Sequence, residues 1–550
     1  MSKIEPSIPQ TVKQSKMWLR WHRFVCPALL LLTMLFTACT TLGPDFVKPS
    51  APVEEKWIEA ETPQIKTEPG DHSAWWKVLN DPVLDRLIEI ASDQNLSLQI
   101  AGLRILESRA LLGIAVGLQY PQAQQLNGGY SYLKSSKNAP PLSSLPDDIN
   151  NRIDSSSNVY QFGFDAAWEL DFWGKFRRSV EAADAGLAAS IAGYDNLMVI
   201  LTGEVAAAYV VIRTLEQRLA FSRSNVVIQQ RSLKIAEVRF KEGATSELDV
   251  QQARSLLHFT QSLIPVLETS VRQAKHGLSV LMGIPPSDLA EFLEGPSDIP
   301  KAPTQVAVGI PADLLRRRPD IRLAEFQAAA QGALIGVAQA DLYPHFALGG
   351  SIGFAAGSGS DLFDSDSVTG FFTPFAFRWN IFNYGRIKNK VRVQDARFEQ
   401  QLVSYRNKVL QAAKEVEDAL VGFVRSQKQA QFLADAVKAA QRASELALLQ
   451  YKEGLIDYTP VLNTQQALVS QQDSLATSRG DIVRYLIALY KALGGGWQIR
   501  IGKDIIPEQT AETMRNRTDW GEFLQPVDLP AEIEPPPTGK DVKLFNKPNW

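Results

Sequence analysis

The sequence predicts a mixed α and β protein in which pairs of short strands feed very long helices, and three observations predict it. First, sliding the chain by 211 positions lays Trp168 on Trp379, Gly174 on Gly385, Glu204-Val205 on Glu415-Val416 and Lys241-Glu242-Gly243 on Lys452-Glu453-Gly454 without a gap. A long internal repeat without insertions is one structural unit used twice. Second, Gly174 to Phe240 contains no Pro and few Gly, so at about 1.5 Å per residue it can form a rod of roughly 100 Å. Third, ahead of each rod the apolar period changes from that of a helix to that of a strand.

The N-terminus reads as an address. Lys13, Lys16, Arg20 and Arg23 precede a short apolar run from Phe24 to Phe36, followed by Ala38-Cys39. That order of charge, apolar run and small residue is a secretory signal, and the run is too short to cross a bilayer. Leu35-Phe36-Thr37-Ala38-Cys39 resembles a bacterial lipobox, although its Leu stands one place further from the cysteine than usual. The resemblance implies that residues 1–38 are removed and that Cys39 becomes the lipidated first residue; the plainer alternative is cleavage beside a free cysteine. Thr40, where an Asp would imply inner-membrane retention, points to the outer membrane.

Residues 39–80, rich in Pro, Glu and Lys, are expected to run extended over the surface. The first repeat, 81–286, opens at Asp81-Pro82, where Asp can cap and Pro can occupy the first turn. Leu84, Leu87, Ile88 and Ala91 share one face, the pattern restarts near Leu96, and Tyr120-Pro121 ends it because Pro disfavours helix in the residue before it. After a linker at 287–313, the second repeat, 314–497, carries the same unit from Arg318-Pro319-Asp320 to Tyr343-Pro344, at an offset of 223 instead of 211. The 12 extra residues of copy one fit in a loop over Ser135 to Ser157. The tail, 498–550, reads as extended or disordered, and Gly494-Gly495-Gly496 reads as a helix cap and turn.

Tyr160, Phe162, Phe164, Ala166, Trp168, Leu170 and Phe172 alternate with Gln161, Gly163, Asp165, Ala167, Glu169 and Asp171. In copy two Phe371, Phe375, Phe377, Trp379 and Ile381 are expected on one side, while Leu126/Tyr130/Tyr132 and Leu348/Ile352/Phe354 supply the preceding strands. Alternation suits a half-buried soluble sheet and equally a transmembrane barrel with lipid outside and water inside. The export signal and the aromatic-heavy face favour the barrel. Four strands cannot close one alone, and open edges are not tolerated in lipid, so membrane-spanning strands require an oligomer.

The rods carry Val205, Tyr209, Ile212, Leu215 and Leu219 at coiled-coil spacing amid Ala-rich turns that permit close packing. Composition excludes several classes of function. A net charge of -3 supplies no basic field for nucleic acid. The two cysteines, Cys26 and Cys39, are both near the N-terminus, and His22, His72, His258, His276 and His345 stand singly, without metal-ligand spacing. No nucleophile-base pair or phosphate loop marks an enzyme, and no metal is expected.

Leu314-Leu315-Arg316-Arg317-Arg318-Pro319-Asp320-Ile321-Arg322, followed by Ala324-Glu325, resembles the signature of TolC-like outer-membrane efflux proteins, specifically the lipoprotein (OprM/NodT-like) branch. The resemblance spans about Cys39 to Trp497 and takes in Cys39 to Pro49, Trp168 to Gly174, Tyr384-Gly385-Arg386 and both Lys-Glu-Gly turns. It implies a homotrimer whose three sets of four strands close one transmembrane β-barrel in outer-membrane lipid, continued by a long α-helical periplasmic barrel. It also implies an adaptor protein and an inner-membrane pump as partners, export of small molecules such as drugs, and no cofactor beyond a covalent lipid on Cys39. The rival is a periplasmic helical scaffold or adaptor lipoprotein without a pore, which does not need aromatic alternating strands.

Arg318, Pro319 and Asp320 read as a helix start, with Pro in the first turn and Asp at the positive end. The turns at Gly243-Ala244-Thr245 and Gly454-Leu455-Ile456 reverse the chain between long helices, and the resemblance makes them the tips that meet the adaptor. The resemblance also places the tunnel entrance in the segment matching Asp457 to Gln466, where relatives often carry an acidic ring; here Pro460 and Asn463 occupy the relevant positions. Asp249, aligned with Pro460, and Asp457 are therefore the candidate entrance charges, with Asn463 as the neutral neighbour. Asp249 can equally serve only to cap its helix.

Overall fold

The computed structural model describes residues 40–68, 70–295, 297–525, 529–530, 541–543 and 545–546. The export signal and Cys39 lie outside the described residues.

α1 (Pro82–Gln94) begins where the Asp81 carboxylate accepts the amides of Val83 at 2.9 Å and Leu84 at 3.2 Å, with Pro82 in the first turn. These are donors that a helix start leaves without partners. Asn95 closes α1 and caps α2 (Leu96–Gly117), accepting from the Leu98 amide at 2.9 Å. The chain then enters β1 (Ala123–Lys134), returns as β2 (Ser156–Leu170), and runs through α3 (Lys175–Lys241) and α4 (Glu247–Leu281). Copy two repeats the order with α5 (Pro319–Ala340), β3 (His345–Ala356), β4 (Val368–Arg378), α6 (Arg386–Lys452) and α7 (Thr459–Ala492). α3 and α6 are both 67 residues long and begin and end 211 positions apart, while α2 and α5 are 223 apart at both ends.

The four strands form one antiparallel sheet in the order β1-β2-β3-β4. The two copies meet at β2 and β3, where Phe162 stands opposite Phe354 and Phe164 opposite Ile352. Period-2 geometry puts Tyr160, Phe164, Trp168, Leu348 and Ile352 on one face and Gln161, Asp165, Ser351 and Ala355 on the other.

Copy two departs from simple alternation. Between the pairs Ala347–Ala376 and Gly349–Thr373, β4 holds one residue more than β3. This is a β-bulge, at Pro374-Phe375, where Pro lacks the amide that a regular ladder would use. The phase flips there. Phe371 pairs with Ser351 on the polar face, and Phe372, opposite Gly350, takes its place on the apolar face. Phe375 and Phe377 stay on the apolar side, with the Phe375 ring 5.3 Å from Phe346. The expectation for Phe371 is corrected accordingly, and β4 ends at Arg378, short of Trp379 and Ile381.

The main core lies midway along the helices, where α1, α3, α6 and α7 bury Leu84, Leu87, Tyr209, Val416, Phe423 and Leu489. Trp75 stacks on Tyr490 there at 5.4 Å. The most apolar stretch of α3 is long enough to cross a membrane by composition, but its Val199, Val205, Tyr209 and Val210 are buried in this core. A second, smaller core at the far end joins Ala236, Val250, Tyr451, Tyr458 and Val461.

The tail is more structured than its composition predicts. α8 (Glu508–Arg517) buries Ala511 and Met514 against Leu106 of α2. Arg500 links the tail to α3 by pairing with Asp195 and donating to the carbonyls of Leu529 and Pro530, both at 3.1 Å. Two apolar residues one turn apart suffice to dock a helix whose average hydropathy is low.

Candidate channel wall and tunnel entrance

The sheet offers two chemically different walls. Apart from Phe371, its polar face is lined mainly by short or polar side chains; its apolar face holds an open groove of about 590 Å³ walled by Phe164, Trp168, Leu348, Ile352 and Phe372. Phe164, Ile352 and Phe372 are 42%, 64% and 73% exposed, an apolar surface that water alone would not accommodate cheaply. Both edges of the sheet, β1 and β4, are unpaired among the described residues.

The junction of sheet and helices is tightly organised. His345 at the start of β3 hydrogen-bonds Glu169 at 2.7 Å, and Lys175 lies 3.6 Å from Glu169 and 3.4 Å from Asp341. Arg178, buried at the start of α3, donates to the carbonyls of Leu42 at 2.9 Å and Gly43 at 3.1 Å. It also donates to Asp45 and Glu181, each at 2.8 Å, so the buried cation is fully paired. Leu42 donates its amide to Trp173 at 3.1 Å, and a Cβ on Gly43 would come within 2.5 Å of Gly336. The strap from Thr41 to Lys48, which begins two residues after Cys39 in the sequence, is thus fixed between α3 and α5 beside the end of β2.

At the other end of the rods the two tips are built alike. Gly243 (φ +68°) and Gly454 (φ +79°) adopt the left-handed conformation that a Cβ disfavours. Each turn closes with the same two bonds: Gly243 to Phe240 at 3.0 Å and Ala244 to Arg239 at 2.8 Å, Gly454 to Tyr451 at 3.1 Å and Leu455 to Gln450 at 2.9 Å. Gly243, Ala244, Gly454 and Leu455 are exposed, Leu455 at 74%, while Thr245 and Ile456 are half-buried.

The two candidate entrance carboxylates differ in setting. Asp249 is buried and accepts hydrogen bonds from Thr245 and from Tyr451, the latter at 3.1 Å. Burial, together with the neighbouring Asp249, pushes the Tyr451 hydroxyl up to about 12, and the Arg239 guanidinium lies 4.6 Å above its ring. Asp457, Pro460 and Asn463 are exposed at the start of α7. Asp249 therefore braces the tip from inside its own chain, whereas Asp457 is exposed, as are Lys452 and Glu453 in the turn before it.

Arg318 binds Asp320 in a two-pronged pair at 2.9 and 2.8 Å, donates to the Ala492 carbonyl at 2.7 Å, and reaches Glu415 at 2.8 Å. Pro319 occupies the first turn of α5. This cluster joins the start of α5 to the end of α7 and faces no cavity of the wall. Sequence reasoning missed Arg178, His345 and Tyr451 as organising residues. Only Tyr451 left a signal: its counterpart in copy one is Phe240, without a hydroxyl.

A sequence profile described as outer membrane efflux protein matches residues 87–284 and 310–495. The chain is 31% identical to a pyoverdine export outer membrane protein of Pseudomonas putida, over 86% of this chain and 98% of that one. It is 30% identical to nodulation protein T of Rhizobium leguminosarum bv. trifolii, over 87% of this chain and 98% of that one. Among solved structures, the outer-membrane channel OprN aligns with a TM-score of 0.77 at 31% identity, covering 83% of this chain and all of the other.

Proposed function

The chain belongs to the outer membrane efflux protein family, and from that premise we propose that three copies join edge to edge, β1 of one to β4 of the next, to close a transmembrane barrel that continues as a helical tunnel into the periplasm. The protein is an outer-membrane channel subunit of a tripartite efflux system and not an enzyme. The observation that carries the trimer is the four-stranded sheet with one apolar face and two unpaired edges. Unpaired backbone groups cannot face lipid, so the edges must find each other. Strands of 11 to 15 residues are long enough to cross a bilayer at a tilt.

Cys39 carries the lipid in this reading. Leu42, three residues on in the sequence, is pinned to Trp173 just past the end of β2, the level at which acyl chains on the cysteine would enter the inner leaflet. The exposed tips, Ala244 and Leu455 among them, receive the periplasmic adaptor, and an inner-membrane pump supplies the energy. Small organic molecules, the class to which the pyoverdine of one relative belongs, are the cargo.

Purified full-length protein added to planar bilayers, with its mass measured in detergent, tests this. Stepwise conductance from a species of three subunits is expected. A folded protein that remains monomeric and conducts nothing would favour a pore-less periplasmic scaffold.

A further inference from the structure

We propose that the C-terminal residues 541–543 and 545–546 make a second attachment to the phospholipid interface, through Phe545 and Lys543 beside the barrel; the inference rests on the barrel reading above. The segment is held by specific contacts. Val542 is buried among Ala115 and Val116 of α2 and Val180 of α3. The buried amide of Gln119 grips the segment at two points, donating to the Lys543 carbonyl at 3.2 Å and accepting from the Asn546 backbone and side chain at 3.1 and 3.2 Å. The Tyr120 hydroxyl donates to the Asn546 carbonyl at 2.6 Å.

These contacts set where Phe545 lies. Its ring is 5.8 Å from Tyr120 and 5.9 Å from Trp168, and Trp168 stands on the apolar face of β2 opposite Leu348. Phe545 is therefore held on the lipid side of the wall, at the level where strand gives way to helix. Aromatic rings favour that level, with an apolar body towards the acyl chains and headgroups beside it. Yet 45% of Phe545 remains open, which leaves a face for lipid after the protein contacts are made. Lys543 is exposed two residues away, and a flexible ammonium there can reach a phospholipid phosphate.

The arrangement mirrors the N-terminal strap. That strap lies between α3 and α5 and reaches Trp173, whose ring is 4.8 Å from Tyr343. The C-terminal segment lies between α2 and α3 and reaches Trp168 beside Tyr120, the repeat counterpart of Tyr343. Copy two has Leu342 where copy one has Gln119, so only copy one has the amide that grips the tail. The N-terminal strap and the C-terminal residues thus approach the membrane on opposite flanks of α3, one following the proposed acylated cysteine and the other with an aromatic ring.

The test is nitroxide labelling of the acylated full chain at Phe545→Cys in vesicles of phosphatidylethanolamine and phosphatidylglycerol. Cys26 lies in the leader and Cys39 is blocked by lipid, so the introduced thiol is the one labelled. Collision with oxygen, which concentrates in lipid, should exceed collision with a water-soluble nickel chelate several-fold at 545. It should do so at Phe164→Cys in the apolar face too, and the ratio should invert at Glu512→Cys on the exposed side of α8. Replacing Gln119 by Leu together with Tyr120→Phe should abolish the lipid signature at 545 while the trimer persists. A nickel-dominated signal at 545 with a lipid signal at 164, or protection from both reagents at 545, overturns the inference and spares the barrel; a nickel-dominated signal at 164 overturns both.

Discussion

Tyr451, at the end of α6, donates its hydroxyl to Asp249, in the first turn of α4, across 3.1 Å in a buried site. The bond ties the tip of copy two to the tip of copy one, and Thr245 shares the same carboxylate oxygen. Removing the acceptor leaves a buried hydroxyl without its partner, which costs about 1–3 kcal/mol. Asp249→Ala should therefore loosen both tips by that amount, and Asp249→Asn, which keeps one acceptor oxygen, by less. Amide hydrogen exchange in the first turns of α4 and α7 measures it; unchanged protection in the Ala variant would mean that apolar packing of Val250 and Val461 alone sets the tips.

Much of the architecture was legible because the duplication doubles every signal. Asp81-Pro82 and Arg318-Pro319 mark the starts of α1 and α5 by local chemistry, and Tyr-Pro stands three residues beyond the ends of both α2 and α5, so these helices could be placed to within about three residues. The sheet was legible from alternation until Pro374, where one extra residue reverses the phase; a pattern of apolar residues alone does not record a bulge. The role of Asp249 was not legible, because its partner Tyr451 lies 202 positions away. The same holds for Arg178, whose backbone acceptors carry no side-chain signature.

The bulge gives a sharp prediction about the wall. Phe372 and Phe371 are adjacent and almost equally exposed, yet the register puts Phe372 on the apolar face and Phe371 on the polar face. In a trimer spanning the membrane, Phe372→Arg should cost about 2–4 kcal/mol near the bilayer centre, while a lumen-facing arginine is tolerated. The yield of folded trimer should fall sharply for Phe372→Arg and little for Phe371→Arg. The reverse order would restore simple alternation through Pro374.

His72 gives the protein an acid-sensitive component. It is buried against Tyr490 at 5.5 Å, and neither ring nitrogen has a hydrogen-bond partner among the described residues. Burial, helped by the Arg317 charge and opposed by Asp71, lowers it from 6.5 to about 4. Between those values the unfolded chain binds a proton that the folded chain refuses, so stability is lost as pH falls through this window, by on the order of 3 kcal/mol in full. His72→Leu should flatten the drop in thermal midpoint between neutral pH and about pH 5. An identical drop in both proteins would assign the acid sensitivity to carboxylates elsewhere.

The adaptor reading of the tips depends on accessible, chemically plain surface. Ala244 and Leu455 are exposed and their turns are closed by backbone bonds, so a larger charged side chain at either position leaves the fold intact while blocking a close-fitting partner. Ala244→Arg and Leu455→Arg should each raise drug sensitivity in a strain that depends on this channel, with trimer yield unchanged. Wild-type resistance from both variants would mean that the tips are turns and nothing more.

The entrance charge can be assigned by comparing two carboxylates in different surroundings. Asp249 is buried in its own chain with its acceptors occupied, whereas Asp457 is exposed before α7, one turn ahead of Pro460 and near the exposed Asn463. In a trimer with the start of α7 around the opening, three Asp457 carboxylates would attract cations, with a reach of about 10 Å at 0.1 M salt that shrinks as salt rises. Asp457→Asn should therefore lower the cation preference of the reconstituted pore, and most at low salt. Asn463→Asp should raise it by adding a second ring, and Asp249→Asn should leave it unchanged because that carboxylate faces Tyr451 and not the opening. Reversal potentials across planar bilayers with unequal salt read all three. A shift caused by Asp249→Asn, with none from Asp457→Asn, would place the buried carboxylate at the lumen and require the tips to open in the assembled channel.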